Sequence, residues 1–445
     1  MAASSQEKEP ATKEELEELK AVVDGINESA TEYRSYVDLL RKIKISGYLQ
    51  TQFRLTDLPG SAAQFSGGNF PANSNKLFQV RRGRIKINYD NVLTQFVLQF
   101  DAIQTGFTLK DAYLSITEPW LQSFGFQMGV FDRPFGYEIS FSSGARETPE
   151  RSRLFQTLFP GERELGAKLF FAPLLGNLTF LRADVGVFNG SGPTANEFDS
   201  YKDFIGRVGA QFPFDNIGAE LDLGVSGYFG AVRNNTKYLW QNGERQVGGV
   251  VFTGFNVDSS LSNIGDGVTR RYVGADAQFY YDLPGIGGLA LRGEYITGKQ
   301  PGGSDFLGAT ISSGNNPTTV SPSTQPTGPI YLRNFAGWYV NLIQNIGIDH
   351  QLLFKYDVYD PNTDVSAAEL AAANNLSPAD VKFSTLGLGY IYHWDGNVKF
   401  ILYYEWVKNE TFTQTGALRN AALTPFQSDI RDNVLTFRVQ YRFPF

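Results

Sequence analysis

The chain has 445 residues, with 36 Phe, 22 Tyr and 46 Gly, no Cys, two His and a formal net charge of −7. No apolar run reaches the ~18 residues of a spanning helix, and without Cys there is neither a disulfide framework nor a cysteine metal site. The charge is local: residues 1–40 hold ten acids and four bases, net −6, leaving −1 for the other 405 residues and little to attract nucleic acid.

Met1-Ala-Ala-Ser-Ser leads directly into charged residues without a secretory signal, so the sequence reads as a mature form behind an added Met. Residues 1–12 are expected to be disordered and residues 13–43 helical. Leu16, Leu19, Val23, Ile26, Ala30, Tyr33, Val37 and Leu40 follow an unbroken 3-4 spacing. That is the a/d seam of a coiled coil, which makes self-association the favoured reading. A single surface helix is the alternative, supported by the small number of heptads, three to four, and by Gly25 in the middle. The same seam is a candidate surface for a partner.

From residue 44 onwards the chain alternates apolar and polar side chains, as a strand does when its two faces meet different solvents. Strands are expected near 44–54, 78–89, 92–101, 107–116, 123–131, 164–171, 177–188, 203–212, 219–232, 270–282, 289–298, 331–344, 349–359, 382–393, 398–408 and 432–443. That is sixteen, an even number, with short turn-like connections on one side and mostly long polar ones on the other. Lipid offers backbone groups no partner, so only a closed barrel can span it with strands. The fold class expected for residues 44–445 is therefore an all-β transmembrane, 16-stranded antiparallel outer-membrane barrel. The last strand, ending in aromatic Phe445, puts Leu435, Phe437, Val439 and Tyr441 on one face and Arg438 and Arg442 on the other.

Three loops carry further signals. The 313–329 loop is rich in Pro, Ser and Thr and reads as solvated; 233–269 reads as a long polar loop. In 360–381, Ser366 and Glu369 form a capping-box pattern ahead of Leu370-Ala-Ala-Ala373, which predicts a short helix. The 132–163 loop is charged and too polar for lipid, with Asp132, Arg133, Glu138, Arg146, Glu147, Glu150, Arg151, Arg153, Glu162 and Arg163.

Asp111-Ala-Tyr113, Gly129-Val-Phe-Asp-Arg-Pro-Phe-Gly-Tyr-Glu138, Glu150-Arg-Ser-Arg153, Gly166 and Val187-Phe-Asn-Gly190 stand in the order found in the phosphate-selective porin O and P family, which the chain resembles. Arg81-Arg-Gly-Arg84 and Gly206-Arg207 add to the resemblance, which is densest over residues 78–210. It implies a Gram-negative trimeric porin whose third external loop, here 132–163, folds inward as a constriction, and related trimeric porins carry a coiled coil in the periplasm, where a periplasmic partner could meet the 13–43 helix. This third loop has no Lys, whereas the family's phosphate pores are lysine-rich there.

Cations expected on the lumenal wall are Lys44 and Arg54 on the first strand, Arg82, Arg84 and Lys86 on the second, and Arg438 and Arg442 on the last, which must close beside the first. A low-dielectric wall focuses such charge and enriches anions. The alternative role for the arginines is to pair with loop acids and hold the loop. Lumenal Asp101, Asp111, Asp203, Glu294, Asp357 and Glu405 oppose strong anion selectivity.

The reading is thus a passive channel for small anionic or polar solutes such as phosphate, dicarboxylates or acidic peptides. Its expected partners are outer-membrane lipid and lipopolysaccharide, and copies of itself as a homotrimer. The rival is a non-conducting scaffold tethered through the coiled coil. An enzyme is disfavoured, because His350 and His393 lie at the turn-side rim with no nucleophile motif beside them. No cofactor or metal is expected, since no His or Cys cluster has ligand spacing.

Overall fold

A computed structural model describes residues 12–193, 197–247, 249–303, 328–372, 375–414 and 420–444. The expected disordered terminus up to residue 11, nearly all of the 313–329 loop, Ala373 and Phe445 lie outside the described residues.

Helix α1 (Lys13–Arg41) begins on a reciprocal cap: the Thr12 hydroxyl accepts from the Glu15 amide, and Glu15 accepts from the Thr12 amide at 2.9 Å. At 1.5 Å per residue it is a rod about 43 Å long. Only Lys42 separates it from β1 (Ile43–Thr56), which is followed by β2 (Lys76–Asn91), β3 (Thr94–Ile103), β4 (Gly106–Thr117) and β5 (Phe124–Asp132). The third loop, with the short helix α2 (Arg153–Leu158), leads to β6 (Arg163–Phe171), β7 (Leu181–Phe188), β8 (Asp203–Phe214) and β9 (Ala219–Arg233). Next come β10 (Leu239–Val247), β11 (Val250–Asp258), β12 (Gly267–Leu283), β13 (Gly287–Gly302), β14 (Ile330–Ile346) and β15 (His350–Asp360). Helix α3 (Ala367–Ala371), β16 (Phe383–His393), β17 (Val398–Asn409) and β18 (Val434–Pro444) complete the described chain.

Sixteen of these eighteen strands form one closed antiparallel barrel; the other two, β10 and β11, form a hairpin above it. Strand β1 pairs with β18 on one side and β2 on the other, while β9 pairs directly with β12. Thus the 233–269 segment is not a plain polar loop. Its two short alternating runs pair from Leu239↔Asp258 to Val247↔Val250, and β10 also touches the start of β14. The Ser366–Glu369 capping box forms at the start of α3.

Exposure alternates strictly along most of β12, exposed then buried over residues 267–278. Two β-bulges interrupt this phase elsewhere. In β2 the register passes from Gln50↔Arg82 to Thr51↔Val80, so Arg81 is the extra residue. In β4 it passes from Gln99↔Asp111 to Phe100↔Leu109, so Lys110 is extra. A bulge places two neighbouring side chains towards one face.

The inward face is not wholly polar. Phe135, Leu154, Phe155, Leu158 and Phe159 of the third loop pack on the inward side chains Phe188, Tyr228, Tyr272, Phe335 and Tyr339. Each fully buried aromatic contributes about 1.5–3 kcal/mol. The loop is therefore a plug with an apolar core that fills the β7–β15 side of the lumen. Gly136 lets it approach the wall: its φ is +63°, its amide donates to Ser226 Oγ at 2.9 Å, and a Cβ there would collide with Glu294.

Candidate functional site: the lumen beside the third loop

The third loop is fastened to the wall through charge. Glu150 is the centre: Arg81 donates to it at 2.8 and 2.9 Å, Arg82 at 2.7 Å and Arg438 at 2.7 Å. Arg438 also donates to the Pro149 carbonyl at 2.7 Å, and Arg82 to Gln50 at 2.9 Å. Burial alone would raise the Glu150 carboxyl, but Arg81, Arg82 and Arg438 outweigh it and hold it well below the usual carboxylate range. Arg82 and Arg438 are thus spent on the loop.

Other loop residues divide around the wall. Glu138 pairs with Lys355 of β15 at 3.0 Å and accepts from Ser152. Glu147 pairs with Arg292 of β13 at 2.9 Å, so it faces away from the Arg82 wall. Glu294 accepts from the Tyr137 amide at 2.9 Å and the Tyr339 hydroxyl at 2.7 Å. Arg146 turns back on the Thr148 and Pro149 carbonyls, and Arg151 on those of Glu138, Ile139 and Phe141. Arg153 lies between the rings of Phe65 and Phe383, at 4.3 and 3.8 Å.

The loop's ends close on themselves and on the wall. Arg163 binds Asp111 at 2.9 Å, Asp132 at 3.0 Å and Glu162 at 2.7 Å; Glu162 also pairs with Arg151. Arg133 pairs with Glu164 at 2.9 Å.

The expected wall cations separate into three groups. Lys44 is exposed at the short-turn rim, 3.0 Å from Asp90. Arg54 is fully buried under the first long loop, donating to the Ala63 carbonyl at 3.2 Å and lying 4.5 Å over Phe70. Arg84, Lys86 and Arg442 line an open cavity of about 520 Å³ between the third loop and the wall that runs from β18 through β1 to β8.

That cavity is lined by eight cationic side chains, Arg84, Lys86, Arg133, Arg151, Arg163, Lys168, Arg207 and Arg442, against three carboxylates, Asp111, Asp132 and Asp184. Several of the cations have acid partners, including Arg84 with Asp101, Lys168 with Asp184 and Arg207 with Asp276. Among the described residues Lys86 and Arg442 make no ion pair. Lys110, beside the loop's Glu162 and near Arg84 and Arg163, adds a cation from the second bulge. Reading the strands as strict alternation misses both Arg81 and Lys110, because it assigns them to the lipid face.

The histidines are occupied at the turn-side rim. His350 Nδ1 lies 2.6 Å from the Tyr390 hydroxyl, and His393 Nε2 lies 3.1 Å from Gln351 Oε1.

No family model matches the chain, and no curated protein matches it in sequence. Solved structures do match its shape. OprB of Pseudomonas putida superposes over 92% of this chain and 96% of its own, with a TM-score of 0.56 and 12% identity. The outer membrane channel DcaP of Acinetobacter baumannii matches over 90% of this chain and 97% of its own, with a TM-score of 0.48 and 12% identity. The anion-selective porin of Comamonas acidovorans matches over 90% and 99%, again with a TM-score of 0.48 and 12% identity. The likeness to OprB shows the fold alone, a closed antiparallel β-barrel.

Proposed function

We propose that the chain is a Gram-negative outer-membrane porin, a passive channel for small hydrophilic solutes that favours anions such as phosphate, dicarboxylates or acidic peptides. The observation that supports it best is the cavity beside the third loop, with eight cations to three carboxylates and, among the described residues, no ion pair at Lys86 or Arg442. The ordered motifs from Asp111 to Gly190 support a place near the phosphate-selective porin O and P family. Trimerisation through α1, with that helix in the periplasm, is part of the same proposal.

Lys86→Glu with Arg442→Glu reverses charge by four units in water-facing positions. At ~6 Å and an effective dielectric of ~20, each charge acts on a passing ion by about 3 kcal/mol before screening. Reversal potential in a salt gradient should move towards cation selectivity, more at low salt than at high. Unchanged selectivity in a folded double variant would remove the anion preference and leave only the channel.

A second reading, a scaffold held by α1, draws on one observation: Leu16, Leu19, Ile26, Tyr33 and Leu40 are each at least 60% exposed in the single chain. Single-channel conductance separates the two, because a scaffold passes no current.

A further inference from the structure

On the outer face of the barrel, Arg271 of β12 and Lys299 of β13 are directly opposite one another, and both are exposed. Like charges in that relation repel. Among the described residues neither makes an ion pair, and Arg271 rests only on the Phe229 ring at 5.5 Å. Their height on the wall is specific. Ten residues separate Arg271 from Tyr281 near the short-turn end of β12. At ~3.3 Å per residue and a tilt of ~40°, that places Arg271 about 25 Å up the wall, the thickness of a barrel's apolar band.

Below the two cations the apolar wall is hollow. An open trough of about 780 Å³ crosses β8, β9, β12, β13 and β14, floored by Ala275 and Ala277 and edged by Leu223, Tyr295 and Trp338. Ala275 lies four residues below Arg271, and Tyr295 four below Lys299, along the same outward rows. A chain lying down the wall from the cations therefore passes Val273 and enters the trough.

We propose that Arg271, Lys299 and this trough form a binding site for one membrane lipid whose phosphate headgroup carries net negative charge. Its phosphate bridges the two cations, and the distal half of one acyl chain lies in the trough. The paired charge selects an anionic headgroup, and the largely apolar trough below it selects a lipid over a free anion. The site faces away from the lumen and is independent of what the pore conducts.

The test is native mass spectrometry of the delipidated full chain, offered phosphatidylglycerol or phosphatidylcholine in detergent. The wild type should retain phosphatidylglycerol, and Arg271→Gln with Lys299→Gln should lower that retention roughly tenfold or more, to the level of phosphatidylcholine. Ala277→Phe, which fills the trough and leaves the charges, should also lower it. Unchanged single-channel conductance checks that each variant is folded. Equal retention of the two lipids by the wild type, or undiminished retention in the double variant, overturns the proposal. So does displacement by equimolar inorganic phosphate, which would mark a bare anion spot.

Discussion

Removing the charge of Glu150 would leave Arg81, Arg82 and Arg438 facing one another in a buried site without their anion. Breaking such a cluster from one side costs about 3–5 kcal/mol. Glu150→Gln should therefore destabilise the third loop, seen as protease cleavage within 132–163 and noisier open-channel current. Acid should not imitate the variant. A carboxyl held well below its ordinary 4.5 contributes stability that is present above that value and is lost only as pH falls through the lowered one. Loop protection at pH 4.5 should match that at pH 7.5.

Asp432 behaves oppositely. Burial pushes it up to about 7, with Arg153 only partly offsetting the effect. An acid raised in the fold favours its neutral form, so its contribution declines as pH rises from 3.8 towards 7. The segment around it should loosen at pH 8 rather than pH 5, and Asp432→Asn should abolish that difference in limited proteolysis.

Strands were legible in the sequence because a two-residue period held for sixteen segments, and the short-turn, long-loop asymmetry gave their order. The bulges were not legible. One extra residue leaves the composition of β2 and β4 unchanged and is revealed only by the partner's register. The consequence is testable, since the chain has no native Cys. A charged, water-soluble thiol reagent added during recording should reduce current through Lys110→Cys and leave Leu109→Cys unaffected. Equal insensitivity of both would put Lys110 outside the conducting lumen. The β10–β11 hairpin had a signal, Gly248-Gly249 between two alternating runs, hidden among polar residues. Helix α1 makes its own prediction. Ile26→Asp should loosen any bundle formed along the Leu16–Leu40 seam, so the inter-chain disulfide of a Val23→Cys variant should disappear when Ile26→Asp is added. No inter-chain disulfide in Val23→Cys alone would rule out the seam as an interface.

For the whole barrel, a rule of water inside and lipid outside does not anticipate a lumen filled on one side by Phe135, Phe155, Phe159 and the wall rings around them. Inward Phe188, Tyr228, Tyr272 and Phe335 could be seen in the sequence as departures from alternation, but their partner was a loop that reads as merely charged. Phe159→Ala should cost about 3–5 kcal/mol by leaving a cavity in the plug. Thermal unfolding should therefore begin lower, and conductance should rise as the plug loosens.

The grip on Glu150 also bears on biogenesis. Its three arginines belong to the second and the last strand, which flank β1 at the place where the cylinder closes. A nascent barrel whose final hairpin has not arrived can hold Glu150 from one side only. The full set of three contacts to Glu150 therefore exists only in the closed cylinder. One carboxylate thus ties the seat of the plug to the completeness of the wall.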